Sequence, residues 1–150
     1  MSEELKKDDF VVRNFNAEDF YEVLKLWEET GLGGAHRGDN LEIILQTIQH
    51  GGTLLILENK NNKDIVGTAW ITNDYRRLYL HHFGIATAYQ GKGLAHILAD
   101  ACICYGKKYN LQMKLEVHKE NNKAQNLYLK HGFKDLGNYE VMIIRKYEEN

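Results

Sequence analysis

Residues 83–95, FGIATAYQGKGLA, pass from a β-rich segment through a short loop with glycines at 91 and 93 straight into a helix-period apolar pattern. This junction restricts the fold more than any other stretch, because a strand that feeds directly into a helix belongs to layered α/β structure. It also gathers several backbone N–H groups and the positive end of a helix dipole at one place, the arrangement by which chains hold phosphates. Lys92 adds a positive charge, no acidic side chain sits in the loop, and a pyrophosphate is the natural guest. A turn that uses glycine only for its geometry fits the same residues, and on this motif alone both readings stand. Two familiar phosphate loops are excluded: the spacing Gly-x-x-x-x-Gly-Lys-Ser/Thr is absent, and no Gly-x-Gly-x-x-Gly lies near the first strand.

The rest of the chain alternates helix-period and strand-period segments. Phe10 to Phe15 reads as a strand, and Asn16 with Asp19 reads as the capping start of a helix whose stripe is Phe20, Val23, Leu24 and Trp27. That helix stops at Gly31-Leu32-Gly33-Gly34. Asp39 with Glu42 forms a second capping pattern before the stripe Leu41, Ile44, Leu45 and Ile48, which ends at Gly51-Gly52. Thr53 to Glu58 and Ile65 to Thr72 read as a hairpin, and Leu78 to Ile85 as a further strand. Strict alternation along that strand places Leu80 and His82 opposite Tyr79, His81 and Phe83. Leu94, Ile97, Leu98, Ala101, Cys102 and Tyr105 share a helix face. Leu111 to Val117 follows as a strand, Asn121 to His131 as a short helix closed by Gly132, and Glu140 to Arg145 as a final strand. The order β-α-α-β-β-β-α-β-α-β describes one α/β domain with a mixed sheet over residues 1–150.

Composition narrows the function classes. The chain has 19 Lys+Arg against 21 Asp+Glu with no long single-sign block, which argues against a nucleic-acid or membrane-surface binder. No apolar run approaches the roughly 18 residues of a spanning helix, and the start MSEELKKDD is polar, so a cytoplasmic protein is expected. Cys102 and Cys104 are about 200° apart on a helix, which makes neither a disulfide nor shared metal ligation easy, and no zinc spacing appears. No metal is expected. The chain has 13 Gly and no Pro, so unusual backbone geometry must come from glycine.

Two blocks in the right order carry a family resemblance. Gln90, Gly93 and Ala95 fit the pattern Gln/Arg-x-x-Gly-x-Gly/Ala. Asn121, Ala124, Tyr128, Gly132 and Phe133 fit Asn-x-x-Ala-x-x-x-Tyr-x-x-x-Gly-Phe. With the β-α-α-β-β arrangement upstream, the chain resembles the GCN5-related N-acetyltransferase (GNAT) superfamily over nearly its whole length, and is closest to small stand-alone bacterial members. One departure is Thr87, where members often carry proline.

The resemblance implies a GNAT fold with its sheet splayed between the fourth and fifth strands, and acetyl-CoA as co-substrate. The pyrophosphate would lie on Gln90, Gly91, Lys92, Gly93, Leu94 and Ala95. The pantetheine arm would pair with Phe83, Gly84 and Ile85 as an added strand, with a bulge at Gly84 or a packing glycine there, and Asn121 would hydrogen-bond the arm. A backbone N–H near Ile85 would stabilise the oxyanion. Tyr128 would be the general acid for the departing thiolate. For the general base the candidates are Glu116, favoured because it borders the splay, then His82, with His81 and His118 behind them. Alternation turns only one of each neighbouring pair toward the acceptor. The loop Gly31 to Gly38, with His36 and Arg37, would cover the acceptor channel, and Trp70, Tyr75 and Tyr79 could line it. Arg37, Arg76 and Arg77 could select an acidic acceptor. The implied reaction is acetyl transfer to a primary amine of a small molecule or protein by direct attack in a ternary complex. The alternative is a catalytically idle acyl-CoA-binding sensor. A homodimer stays open, with the final strand as one contact.

Overall fold

A computed structural model describes residues 6–33 and 38–148. Its strands are β1 (Phe10–Asn14), β2 (Thr53–Asn59), β3 (Ile65–Asn73), β4 (Leu78–Ile85) and β5 (Met113–Leu115). Its helices are α1 (Phe20–Thr30), α2 (Leu41–Gln49), α3 (Leu94–Tyr109) and α4 (Asn122–Lys130). The strands lie in the order β1-β2-β3-β4-β5, antiparallel up to β4 and parallel between β4 and β5.

The sheet is covered on both faces, which explains why β2 reads as a continuous apolar run instead of an alternating one. Leu54 and Ile56 face α1 and α2, where they join Val23, Leu26, Trp27, Ile44 and Trp70. Leu55 and Leu57 face α3 and pack with Leu78, Leu80, Ile85, Leu94, Leu98 and Cys102. The apolar face expected for the third helix is therefore the one that meets the sheet. Cys102 is buried there and Cys104 is exposed, so the two thiols diverge.

Local chemistry sets the element ends. Asn16 and Asp19 form the expected capping box, but it caps a 3₁₀ turn, Ala17–Asp19, that precedes α1. Asp19 also accepts two hydrogen bonds from the Arg13 guanidinium, at 2.8 and 2.9 Å, which ties the turn to β1. Gly31, in left-handed backbone with φ 71°, closes α1. At α2 the cap is Asn40, whose side chain accepts from the Ile43 amide, and not Asp39. Asp39 is only 7% exposed and is engaged elsewhere.

Two strand expectations are corrected. The fifth strand is three residues, Met113–Leu115, and not Leu111 to Val117, because it pairs with β4 only at its start. Glu140 to Arg145 forms no strand: the run is exposed and has no ladder partner among the described residues. β propensity is a preference for a paired, half-buried surface, so an apolar run that neither pairs nor packs is not held as a strand. No helix among the described residues is long and apolar enough to cross a membrane.

Candidate active site between β4 and β5

The sheet opens where the two parallel strands part. β4 and β5 pair at Leu78 with Met113, Tyr79 with Lys114 and Leu80 with Leu115, and nowhere further. From His81 to Ile85, β4 has no strand partner but β3 among the described residues. One edge of that segment therefore offers its backbone groups to an extended ligand, as an added strand would use them.

A β-bulge lies at the same place. Trp70 pairs with His81 and Thr68 with Gly84, so His82 and Phe83 together oppose Ala69. His82 carries the bulge with φ +44°, a backbone region that a histidine rarely adopts. The distortion is held by a buried chain of hydrogen bonds. Trp27 Nε1 donates to Thr68 Oγ1 at 2.9 Å, and the Thr68 hydroxyl donates to the His82 carbonyl at 2.9 Å. Gly84, just past the bulge, has a packing role: a Cβ there would meet Leu32 Cδ1 at 2.5 Å.

The bulge overturns the expected alternation. His81 stacks on Tyr79 at 4.6 Å, and His82 meets the rings of Trp27 at 4.6 Å and Trp70 at 5.4 Å, so both histidines face α1 and α2. Phe83 turns to the other side, edge-on to Tyr128 at 5.7 Å. His82 Nε2 lies 2.8 Å from Asp39 Oδ2. Burial, and then the neighbouring His82, push the His81 imidazole below its ordinary value, and its Nε2 lies 3.0 Å from Thr72 Oγ1.

The other base candidates are differently occupied. The Tyr79 hydroxyl donates to Glu116, just past the end of β5. Burial, reinforced by that carboxylate, pushes the Tyr79 phenol up to about 12. His118 Nδ1 accepts the Glu120 amide at 3.1 Å within an exposed turn. His36 and Arg37 lie outside the described residues, as do Gly34 and Ala35.

Across the opening, Tyr128 on α4 packs between Phe83 and Phe133. Burial is the main cause that raises its hydroxyl to about 12, with Cys102 adding to it. That hydroxyl stays protonated at neutral pH and makes no hydrogen bond among the described residues. Asn121 is the N-cap of α4, and its Oδ1 accepts the Ala124 amide at 3.1 Å, leaving its NH₂ as the outward donor.

The glycine loop joins β4 to α3 through a 3₁₀ turn, Thr87–Tyr89. The Thr87 amide, which a proline would lack, donates to Glu29 Oε1 at 2.9 Å and ties the loop to α1. Gln90 Nε2 folds back to the Ile85 carbonyl at 2.9 Å. Gly91 and Gly93 both have φ +78° with open space around them, so their requirement is conformational. The amides of Gly91, Lys92 and Gly93 donate to no carbonyl among the described residues. α3 begins at Leu94 and Ala95 with no acid in its first turn. Beside the loop is a cavity of about 230 Å³ lined by Lys7, Lys92, Gly93, Leu94, His96 and Ile97. Lys7 comes from a distant turn and left no local signal in the sequence.

The chain matches the acetyltransferase (GNAT) family over residues 11–133 and belongs to it. Solved structures agree on the fold. An acetyltransferase from Streptococcus agalactiae is similar at 14% identity, covering 94% of this chain and 93% of that one, with a TM-score of 0.75. A GNAT-family acetyltransferase from Staphylococcus aureus Mu50 is 20% identical over 87% and 89% of the two chains, with a TM-score of 0.73. A GNAT-family acetyltransferase from Elizabethkingia anophelis, solved with acetyl-CoA bound, is 19% identical over 85% and 78%, with a TM-score of 0.64.

Proposed function

We propose that this protein moves the acetyl group of acetyl-CoA to a primary amine by direct attack in a ternary complex. Family membership supports the acyl transfer. The observation that carries the assignment of roles is the bulge, which turns His82 to the same side as His81, against Trp27 and Trp70, while Phe83 lies against Tyr128 on the other side. One side then presents a histidine paired with a carboxylate, and the other a protonated phenol.

Acetyl-CoA would lay its pyrophosphate on the free amides from Gly91 onward, with Lys92 at the rim, and thread its pantetheine arm along Phe83, Gly84 and Ile85. The Asn121 NH₂ is the donor on the α4 side of that path. His82 accepts a proton as the amine nitrogen attacks the thioester carbon, and a backbone N–H near Ile85 holds the oxygen that becomes negative. When the C–S bond breaks, Tyr128 gives its proton to the sulfur and is reprotonated from solvent. Cys102 takes no part: it is buried with its thiol pushed up to about 12 by burial, so it offers no thiolate nucleophile near neutral pH. Glu116, exposed and already accepting from Tyr79, serves the rim, where its charge attracts the cationic form of an amine.

The test is thiol release from acetyl-CoA across a panel of small amines, aminoglycosides and lysine peptides. Turnover with at least one amine, cut about 100-fold or more in Tyr128→Phe, is the expected result. A wild-type protein that is stabilised by acetyl-CoA yet releases no CoA with any amine would instead be a binder without transferase activity.

A further inference from the structure

Asp39 was expected to start a helix, and its place in the fold is different. It lies ahead of α2, is nearly buried, and puts Oδ2 2.8 Å from His82 Nε2. A carboxylate can only accept, so Nε2 carries the hydrogen of this contact, and in the neutral ring the lone pair is then on Nδ1. Nδ1 makes no hydrogen bond among the described residues.

Three features show that the surrounding chain is built around this contact. Gly33, which is not in left-handed backbone, leaves room for it: a Cβ there would lie 2.1 Å from Asp39 Oδ2 and 2.7 Å from His82 Nε2. The strained His82 backbone is locked from beneath by the Thr68 hydroxyl. The ring itself packs edge-on against the stacked pair Trp27 and Trp70. A histidine with its backbone, ring plane and one nitrogen all constrained is oriented for the use of the remaining nitrogen. Packing alone would be met by a phenyl ring at this position and would need no buried acid against it.

We infer that Asp39 is a positioning residue that holds His82 as the Nε2–H tautomer, so that Nδ1 is the atom that takes the proton from the acceptor amine. This rests on the acetyl-transfer reading above. During attack the amine N–H bond breaks as the N–C bond to the acetyl carbon forms, the proton passes to Nδ1, and the imidazolium that results is balanced by the Asp39 carboxylate. Among the described residues, the other titratable groups around the ring are His81 on β4 and, beyond Tyr79, Glu116. Neither makes a hydrogen bond to His82.

The experiment compares full-length wild type, Asp39→Asn, Asp39→Glu, His82→Gln and the double variant Asp39→Asn/His82→Gln. It reads kcat and KM separately, together with the ¹⁵N shifts of the His82 ring. Asp39→Asn should lower kcat about 10-fold to 100-fold with KM for acetyl-CoA unchanged. It should also move the ring away from a pure Nε2–H pattern, while Asp39→Glu restores part of kcat. The double variant should be no slower than His82→Gln alone, because both act through one atom. An Nε2–H ring that persists in Asp39→Asn, or losses that multiply in the double variant, would overturn the inference. So would an unchanged kcat in Asp39→Asn. A wild type that turns over no amine removes the acetyl-transfer reading itself, and the base role with it, which is a different failure from an active enzyme indifferent to Asp39.

Discussion

Thr68 offers the sharpest test of how this site is held. Its hydroxyl is wholly buried, accepts the Trp27 indole N–H at 2.9 Å and donates to the His82 carbonyl at 2.9 Å. Thr68→Val keeps the shape and leaves no cavity, but strands a buried donor and a buried acceptor. Each such group costs on the order of 1–3 kcal/mol, so a loss of about 3 kcal/mol is expected after modest relaxation. Thr68→Ser makes the opposite cut: it keeps both hydrogen bonds and deletes one buried methyl, for about 1 kcal/mol. At about 2–4 °C per kcal/mol for a chain of this size, the valine variant should melt about 9 °C lower and the serine variant about 3 °C lower. Urea unfolding followed by tryptophan fluorescence reads both, since Trp27 and Trp70 are stacked at 5.5 Å beside the mutated site. A valine variant as stable as the serine variant would refute the idea that this hydroxyl holds the bulge.

Other consequences follow from the same structure. Gly33→Ala should break the Asp39–His82 contact, because the added carbon falls 2.1 Å from Oδ2, and crystallography or the His82 ring shifts would show it; an intact pair with wild-type turnover would count against the close packing. Tyr128 holds its proton up to about 12, so it should cause no alkaline fall in kcat below about pH 10, and a fall that disappears in Tyr128→Phe would contradict the assignment. Cys102 is raised from 9.0 to about 12 by burial, so its neutral form favours the native state; that contribution is whole below the unfolded value near 9 and is lost as pH rises toward 12. Stability should therefore drop between pH 9 and 11, and Cys102→Ala should lose less over that span, by up to about 1.4 kcal/mol per pH unit, in denaturant titrations. Glu29→Ala should speed amide exchange at Thr87 without touching α3, because that amide loses its acceptor at 2.9 Å.

Much of the architecture could be read from residue order because it depends on local rules. The apolar stripe of α1, the continuous run of β2 and the left-handed glycines at 91 and 93 each express a periodicity or a backbone freedom that neighbouring residues carry with them. The same is true of the glycine loop and of Asn121 and Tyr128, whose spacing fits the family that residues 11–133 match. Where two distant segments compete, the sequence pattern is silent or misleading. A capping pattern at Asp39 and Glu42 is locally sound, yet Asn40 takes the cap because Asp39 meets a histidine 43 residues away. Alternation along β4 is the ordinary expectation, and it fails at one residue because Thr68 and Trp27, from another strand and a helix, stabilise the extra turn of backbone. The run Glu140 to Arg145 has the composition of a strand, yet it pairs with no strand among the described residues. Local sequence therefore sets the helices, most of the strands and the place where the glycine loop opens α3. Tertiary structure decides which side chains meet across the opening, because a bulge, a buried carboxylate and a missing strand partner are properties of pairs and not of either segment alone.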